Sequence, residues 1–469
     1  VCYQEEVRDP SRMAEVLNRV IEKAIRGSAP AQINVPRDYW TQVINIELPP
    51  IVRLERQAGG VEAINKAAKL LSEAKFPVIL SGAGVVIGGA IEDCKKLAEK
   101  LDAPVCSGYQ HNDSFPGSHP LAVGPLGYNG SKAAMELISK SDVVLALGTR
   151  LNPFSTLPGY GMDYWPKNAS IIQVDMNSDR IGLTKKVTVG ICGDAKLVSQ
   201  QLLNKLSSKA GDTDRQKRKD LIHQKKSAWL QMLSGLDHEE DDKGTVWNKE
   251  ARERDKDRMS PRQAWRAIQD GMPEDVIISS DIGNNCAIGN AYPTFEKGRK
   301  YLAPGLFGPC GYGFPSILGA KIGCPNTPVI GFAGDGAFGI SMNEMSSCAR
   351  KEWPNITMVI FRNYQWGAEK RNSILWFDDN FVGTELDPEL SYAKVANSCG
   401  LKGVTVKTME ETTKAIKQSC EDQKKNITTF IEVILNQELG EPFRRDAMKK
   451  PVKVAGIKKE DMKPQRGAN

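Results

Sequence analysis

Along this chain, helical spacing of apolar residues alternates with short, unbroken apolar runs. Met13, Val16, Leu17, Val20, Ile21 and Ile25 recur three or four residues apart, which predicts an amphipathic helix that opens at Asp9-Pro10-Ser11 and closes at Gly27-Ser28-Ala29-Pro30. The chain is expected to enter this helix directly from Val1. Ala31 to Pro36 reads as a short strand and Arg37 to Leu54 as an extended linker. A helix beginning at Val61 leads into the run Pro77-Val78-Ile79-Leu80-Ser81-Gly82 and then to a helix through Ile91, Cys94, Leu97 and Leu101. Asp142 to Gly148 and Ser170 to Asp175 are again continuously apolar, the pattern of parallel strands buried on both faces. A helix from Ala195 to Leu206 closes this unit.

The alternation resumes at Ser260-Pro261, with strands expected at Val276–Ser280, Pro328–Phe332, Thr357–Phe361 and Thr429–Val433. The predicted fold class is therefore α/β, with doubly wound parallel sheets. The division is residues 1–55, a partial α/β unit and linker; 56–206, a central α/β domain; 207–258, a charged, solvated helical linker; 259–436, a second α/β domain; and 437–469, a polar, basic tail.

Composition narrows the function classes. The 63 Lys and Arg against 57 Asp and Glu give a net charge of +6 spread over 469 residues, with no basic stripe, so nucleic acid is not an expected partner. No run approaches the ~18 apolar residues of a membrane span. The ten cysteines are scattered without CxxC or Cys/His ligand spacing, which points away from zinc and disulfides and toward a reducing, cytoplasmic setting. The chain opens on Val1 rather than Met, so the region that would carry a targeting signal is not in view.

The candidate chemistry lies in the second α/β domain. Gly334-Asp335-Gly336-Ala337 follows one apolar run, and Asn363, 28 residues after Asp335, follows the next. A carboxylate and an amide oxygen at adjacent strand tips are hard ligands suited to Mg²⁺, and the flanking glycines let backbone approach a diphosphate. Gly82-Ala83-Gly84-Val85-Val86-Ile87-Gly88 imitates a dinucleotide motif, but its third glycine comes one residue late, and a tight strand-to-helix turn is the expectation, with a nucleotide site as the minor alternative. His111 and His119 lie in a Gly/Pro/Asn-rich loop, where solvent exposure or hydrogen bonding is expected rather than catalysis, and Trp366 and Trp376 are read as packing residues.

Gly-Asp-Gly followed by Asn363 resembles the thiamine diphosphate enzymes of the acetohydroxyacid synthase and pyruvate decarboxylase group. Arg362 stands where that group has the first Asn of its Asn-Asn pair. The resemblance implies Mg²⁺ held by Asp335, Asn363 and the backbone carbonyl of Gln365. It implies cofactor contacts from Gly283, Asn284, Asn285, Cys310, Gly311, Tyr312, Gly334, Gly336, Ala337, Trp366 and Gly367, with Cys310 in place of the bulky residue that supports the bent cofactor. Glu369 falls where pyruvate decarboxylases carry an active-site glutamate.

The strings Asn363 to Lys370, Leu375 to Thr384 and Glu438 to Asp446 narrow the resemblance to the sulfoacetaldehyde acetyltransferase family. That implies conversion of sulfoacetaldehyde and phosphate to acetyl phosphate and sulfite, within sulfonate or taurine degradation. Both substrates are small anions, and Lys370, Arg371, Arg444 and Arg445 are the candidate cations. The resemblance further implies a homodimer or homotetramer, and that residues 1–55 are the last part of an N-terminal pyrimidine-binding domain whose activating glutamate lies outside this chain. Two alternatives stay open: another thiamine diphosphate enzyme, acetolactate synthase-like or a 2-oxo acid decarboxylase, and a non-catalytic Mg-thiamine diphosphate-binding or assembly protein.

Overall fold

The apolar runs assemble into two parallel sheets in the computed structural model, which describes residues 1–27, 29–48, 55–207, 214–238, 253–305, 307–376 and 380–438. Among these residues β1 (Tyr3–Glu6) and β2 (Ala31–Asn34) form a small parallel pair under the helix Met13–Gly27. The central sheet holds β3 (Pro77–Ser81), β4 (Val105–Ser107), β5 (Ala122–Pro125), β6 (Val143–Leu147), β7 (Ser170–Asp175) and β8 (Val189–Cys192). Their order is β5-β4-β3-β6-β7-β8. The second sheet holds β9 (Ile277–Ser280), β10 (Tyr301–Leu302), β11 (Val329–Gly334), β12 (Thr357–Arg362), β13 (Lys402–Val406) and β14 (Thr429–Ile434), in the order β10-β9-β11-β12-β14-β13.

Both sheets are buried on their two faces, as the unbroken apolar runs require. On β12, Val359 and Phe361 pack with Trp265 and Phe332 on one side, while Met358 and Ile360 pack with Phe314 and Phe338 on the other. In the second sheet the chain runs from β9 outward to β10 and then returns to the opposite flank of β9 as β11. The order reverses there, and the crevice outside the carboxyl ends of β9 and β11 is where such sheets bind ligands.

Three local expectations change. A strand, Tyr3–Glu6, precedes the first helix, and it pairs residue for residue with Ala31–Asn34. The stretch read as an extended linker contains a 3₁₀ turn at Arg37–Thr41. The helix Arg215–His238 is not a solvated linker: Ile222 joins the central core, and Trp229 and Leu233 join that of the second domain. Its Arg218, 3% exposed, donates to the carbonyls of Lys75, Leu101 and Asp102 at 2.7, 2.9 and 3.0 Å. Three apolar residues on one face suffice to anchor a helix whose many charges sit on long stems that reach solvent.

The loop after β4 locks the two large domains together. Asn112 donates to the carbonyls of Asn290 and Pro293 at 3.0 and 2.8 Å, and Asn290 returns bonds to the Gln110 N–H and the Tyr128 carbonyl at 2.9 and 3.0 Å. No helix among the described residues is long and apolar enough to cross a membrane.

Candidate active site

The tips of β9, β11 and β12 converge on one crevice. Beyond β9, the buried Asp281 takes the N–H of Ile282 and Gly311 on Oδ1 at 2.8 and 3.1 Å and that of Gly313 on Oδ2 at 2.6 Å. Burial raises its carboxyl pKa, and these backbone donors pull it back down. Asp281 thereby staples the turn after β9 to the glycine-rich stretch before the helix Gly313–Gly323. Gly283 sits in that turn at φ +125°, which a side chain would strain. Asn284 is held by Arg371, whose guanidinium donates to its Oδ1 at 2.8 Å and also to the Tyr128 hydroxyl. Asn285 accepts the Trp265 indole N–H on its backbone oxygen at 2.6 Å.

At the next two tips, Gly334 of β11 pairs with Phe361 of β12, so the residues that follow, Asp335 and Arg362, stand opposite each other. Asp335 and Asn363 are 1% and 2% exposed. Asp335 Oδ2 accepts from Arg362 at 3.0 Å and from the Tyr364 N–H at 2.7 Å, while Oδ1 accepts the Gly336 N–H at 3.0 Å. Burial pushes this carboxyl up to about 6, with the Arg362 guanidinium pulling against it. Asn363 Oδ1 is buried and has no hydrogen-bond partner. Tyr364, at φ +62°, kinks the chain away from the sheet. The kink is braced by the segment around Glu385, which bridges to Gln365 and accepts the Trp366 N–H on the Thr384 carbonyl at 2.7 Å. A bulky residue with positive φ is an outlier of the kind that functional sites hold in place.

These elements enclose a cavity of about 180 Å³. Of the residues singled out in the sequence, Gly283, Asn284, Asn285, Cys310, Gly334, Asp335, Gly336, Ala337, Asn363, Gln365, Trp366, Gly367 and Glu369 all line it. Gly311 and Tyr312 do not: Gly311 is tied to Asp281, and Tyr312 begins the helix behind it. Gly336 is required by packing, since a Cβ there would lie 2.8 Å from the Trp366 indole. Glu369 is exposed at the cavity wall, and the Cys310 thiol pKa is raised by burial and by the Asp281 and Glu369 carboxylates.

The candidate cations separate. Lys370 is committed inside the protein, paired with Glu385 and 3.2 Å from Gln437 Oε1, because its helix turns it inward. Arg371 is engaged with Asn284 and Tyr128 at the cavity's edge. Arg444 and Arg445 lie outside the described residues, as does the side chain of Trp376. His119 is hydrogen-bonded, as its loop suggested, through Nε2 to Glu99 at 3.3 Å and through Nδ1 to the Leu121 N–H at 3.2 Å. The sequence pattern assigned no site role to Asp281, nor to Ile282, Cys286, Gly308 and Ala368, which line the cavity. An acid between an apolar run and Gly-Asn was the available signal for Asp281.

A second, larger cavity of about 480 Å³ lies at the carboxyl edge of the central sheet, between residues that include Gly84, Gly148, Arg150, Asp175 and Arg180. The Gly82–Gly88 segment is the tight turn its spacing suggested. Gly84 donates to the Gly148 carbonyl at 2.8 Å, and a Cβ on Gly84 would lie 2.7 Å from the Gly148 Cα.

Residues 64–202 match the family described as thiamine pyrophosphate enzyme, central domain, and residues 281–433 match thiamine pyrophosphate enzyme, C-terminal TPP binding domain. The chain is 76% identical over 466 residues to a probable sulfoacetaldehyde acetyltransferase of Rhizobium meliloti, covering 99% of this chain and 79% of that protein. It is 72% identical over 465 residues to a sulfoacetaldehyde acetyltransferase of Roseovarius nubinhibens, covering 99% of this chain and 77% of that protein. Among solved structures, the benzoylformate decarboxylase of Polynucleobacter necessarius superposes with a TM-score of 0.71 at 18% identity over 94% of this chain and 77% of that one, a likeness of fold.

Proposed function

The chain belongs to the sulfoacetaldehyde acetyltransferase family of thiamine diphosphate enzymes, and from that premise we propose that it transfers an acetyl group from sulfoacetaldehyde to phosphate, releasing sulfite and acetyl phosphate. The observation that carries the cofactor assignment is the unpartnered, buried Asn363 Oδ1 beside the buried carboxylate of Asp335. An unmet buried acceptor costs about 1 to 3 kcal/mol, and a cation relieves it. The donors are hard oxygens, as Mg²⁺ prefers.

In this reading Asp335, Asn363 and the Gln365 backbone carbonyl hold Mg²⁺. The turn Gly283–Asn285, the Gly334–Ala337 segment and Trp366-Gly367 receive the diphosphate, with glycine backbone where a side chain would obstruct it. Gly311 and Tyr312 act from behind, through the Asp281 staple. Thiamine diphosphate, when bound, supplies the carbon nucleophile and electron sink that the chemistry needs. Arg371 fixes the Asn284 amide, Cys310 supports the cofactor's bend, and Glu369 faces the substrate from the cavity wall. Arg444 and Arg445 are the proposed anion-binding pair.

A homodimer or homotetramer is part of the proposal. The cavity of about 180 Å³ is below the ~300 to 1,000 Å³ of typical small-molecule sites, which supports a reading in which a further protein surface completes it. All ten cysteines are free thiols, which supports the cytoplasm as the working compartment.

Asp335→Ala tests the site directly. Calorimetric titration of the full-length variant with thiamine diphosphate and excess Mg²⁺ should give no binding, because the phosphates lose their bridging cation. Cofactor affinity equal to that of the unaltered protein would refute the assignment.

A further inference from the structure

The register of the second sheet places a charged residue where it bears directly on the cation site. Arg362 ends β12 opposite Asp335, and its side chain is 1% exposed. One guanidinium nitrogen lies 3.0 Å from Asp335 Oδ2. The other terminal nitrogen donates to the carbonyls of Asp387 and Leu390, the latter at 2.9 Å. The guanidinium carbon lies 4.2 Å from the centre of the Tyr364 ring and 5.5 Å from that of Tyr392. Glu432 closes the remaining side, 3.7 Å from Nε. Its carboxylate is itself fixed by the Ser391 hydroxyl at 2.6 Å and the Tyr392 N–H at 3.2 Å. Both terminal nitrogens of the guanidinium are thus engaged and its faces are flanked by aromatic rings, which favours its place beside Asp335.

We propose that Arg362 is a positioning residue that restricts Asp335 to a one-oxygen presentation and thereby sets the site's preference for Mg²⁺ over Ca²⁺. The inference rests on the reading of Asp335 and Asn363 as cation ligands. Asp335 Oδ2 is taken by a charged donor at 3.0 Å and an amide at 2.7 Å, whereas Oδ1 takes only the Gly336 N–H at 3.0 Å and keeps a lone pair for a cation. Mg²⁺ accepts one carboxylate oxygen in a near-octahedral shell at ~2.0 to 2.1 Å, whereas Ca²⁺ gains from two-oxygen grips at ~2.3 to 2.6 Å. Arg362 denies the second grip. The Tyr364 ring lies against the guanidinium and adds to this restraint, while the backbone N–H of the same residue bonds the same Asp335 oxygen.

The test is calorimetric titration of the full-length protein with thiamine diphosphate, in Mg²⁺ and separately in Ca²⁺, for Arg362→Gln, Arg362→Lys and Tyr364→Asn. Asparagine tolerates the positive φ of position 364 and leaves the arginine in place. The ratio of cofactor affinity in Mg²⁺ to that in Ca²⁺ should fall by about fivefold or more in Arg362→Gln, and by less, in the same direction, in the other two variants. Melting temperature without cation reports any structural effect separately. If Arg362→Gln does not fold, the ratio in Arg362→Lys and Tyr364→Asn decides. An unchanged ratio, with both affinities falling together, would reduce Arg362 to a clamp on the segment that carries Asp387 and Leu390. Absence of cofactor binding by the unaltered protein in either cation would sink the cofactor reading itself, and this inference with it.

Discussion

His111 lines the larger cavity of the central domain, and burial, with the nearby Arg150 cation, holds its imidazole down to about 4. It is neutral in the fold at pH 7. The unfolded chain titrates this group near ~6.5. As pH falls from about 6.5 toward 4, the unfolded chain therefore takes up a proton that the folded chain refuses, and stability declines through that window by at most about 3 kcal/mol, levelling below it. Urea unfolding of His111→Asn between pH 7 and 4 should show a shallower decline than the unaltered protein; parallel curves would mean that His111 titrates normally in the fold. Individual residues differ in how plainly the sequence announces them. Asp335 and Asn363 stand out because an acid and an amide follow two apolar runs at a meaningful interval. The Asp335–Arg362 pair does not, since it exists through strand register, and register is a property of the assembled sheet. Lys370 looks like any exposed helical lysine until its helix is seen to turn it toward Glu385.

Long apolar elements are legible for a simple reason: a strand buried on both faces has no polar positions, as β6 and β7 show. The strands that escape notice are short or interrupted. β10 has two residues, β4 has three, and β8 and β13 carry Gly190 and Gly403 in their interiors. β1, Tyr-Gln-Glu-Glu, alternates polar residues and buries little, so its pairing with β2 is invisible to hydropathy. The helix Arg215–His238 hides in the opposite way, behind its charges. Arg218 anchors it to three backbone carbonyls of the central domain, each bond involving a charged donor. Arg218→Ala should cost about 2 to 4 kcal/mol in urea unfolding, with Arg218→Lys recovering part of that. A loss under about 0.5 kcal/mol would return this helix to the solvated linker that its composition suggests.

At the scale of the whole molecule, two sheets with the same parallel construction carry two crevices at their carboxyl edges, one lined by the metal-type donors and one by arginines. The bonds among Gln110, Asn112, Tyr128 and Asn290 fix the domains relative to each other, and Tyr128 reaches from the central domain to Arg371 and Asn284 at the first crevice. The central domain thus bounds the site that the second domain builds. The measurement that addresses the chemistry assigned to that site most directly is quantitation of sulfite and acetyl phosphate from the full-length protein supplied with sulfoacetaldehyde, phosphate, thiamine diphosphate and Mg²⁺. We predict the two products in equal amounts, with both lost when phosphate, cofactor or cation is left out. Carbon dioxide from pyruvate without sulfite from sulfoacetaldehyde, or sulfite released without acetyl phosphate, would contradict it.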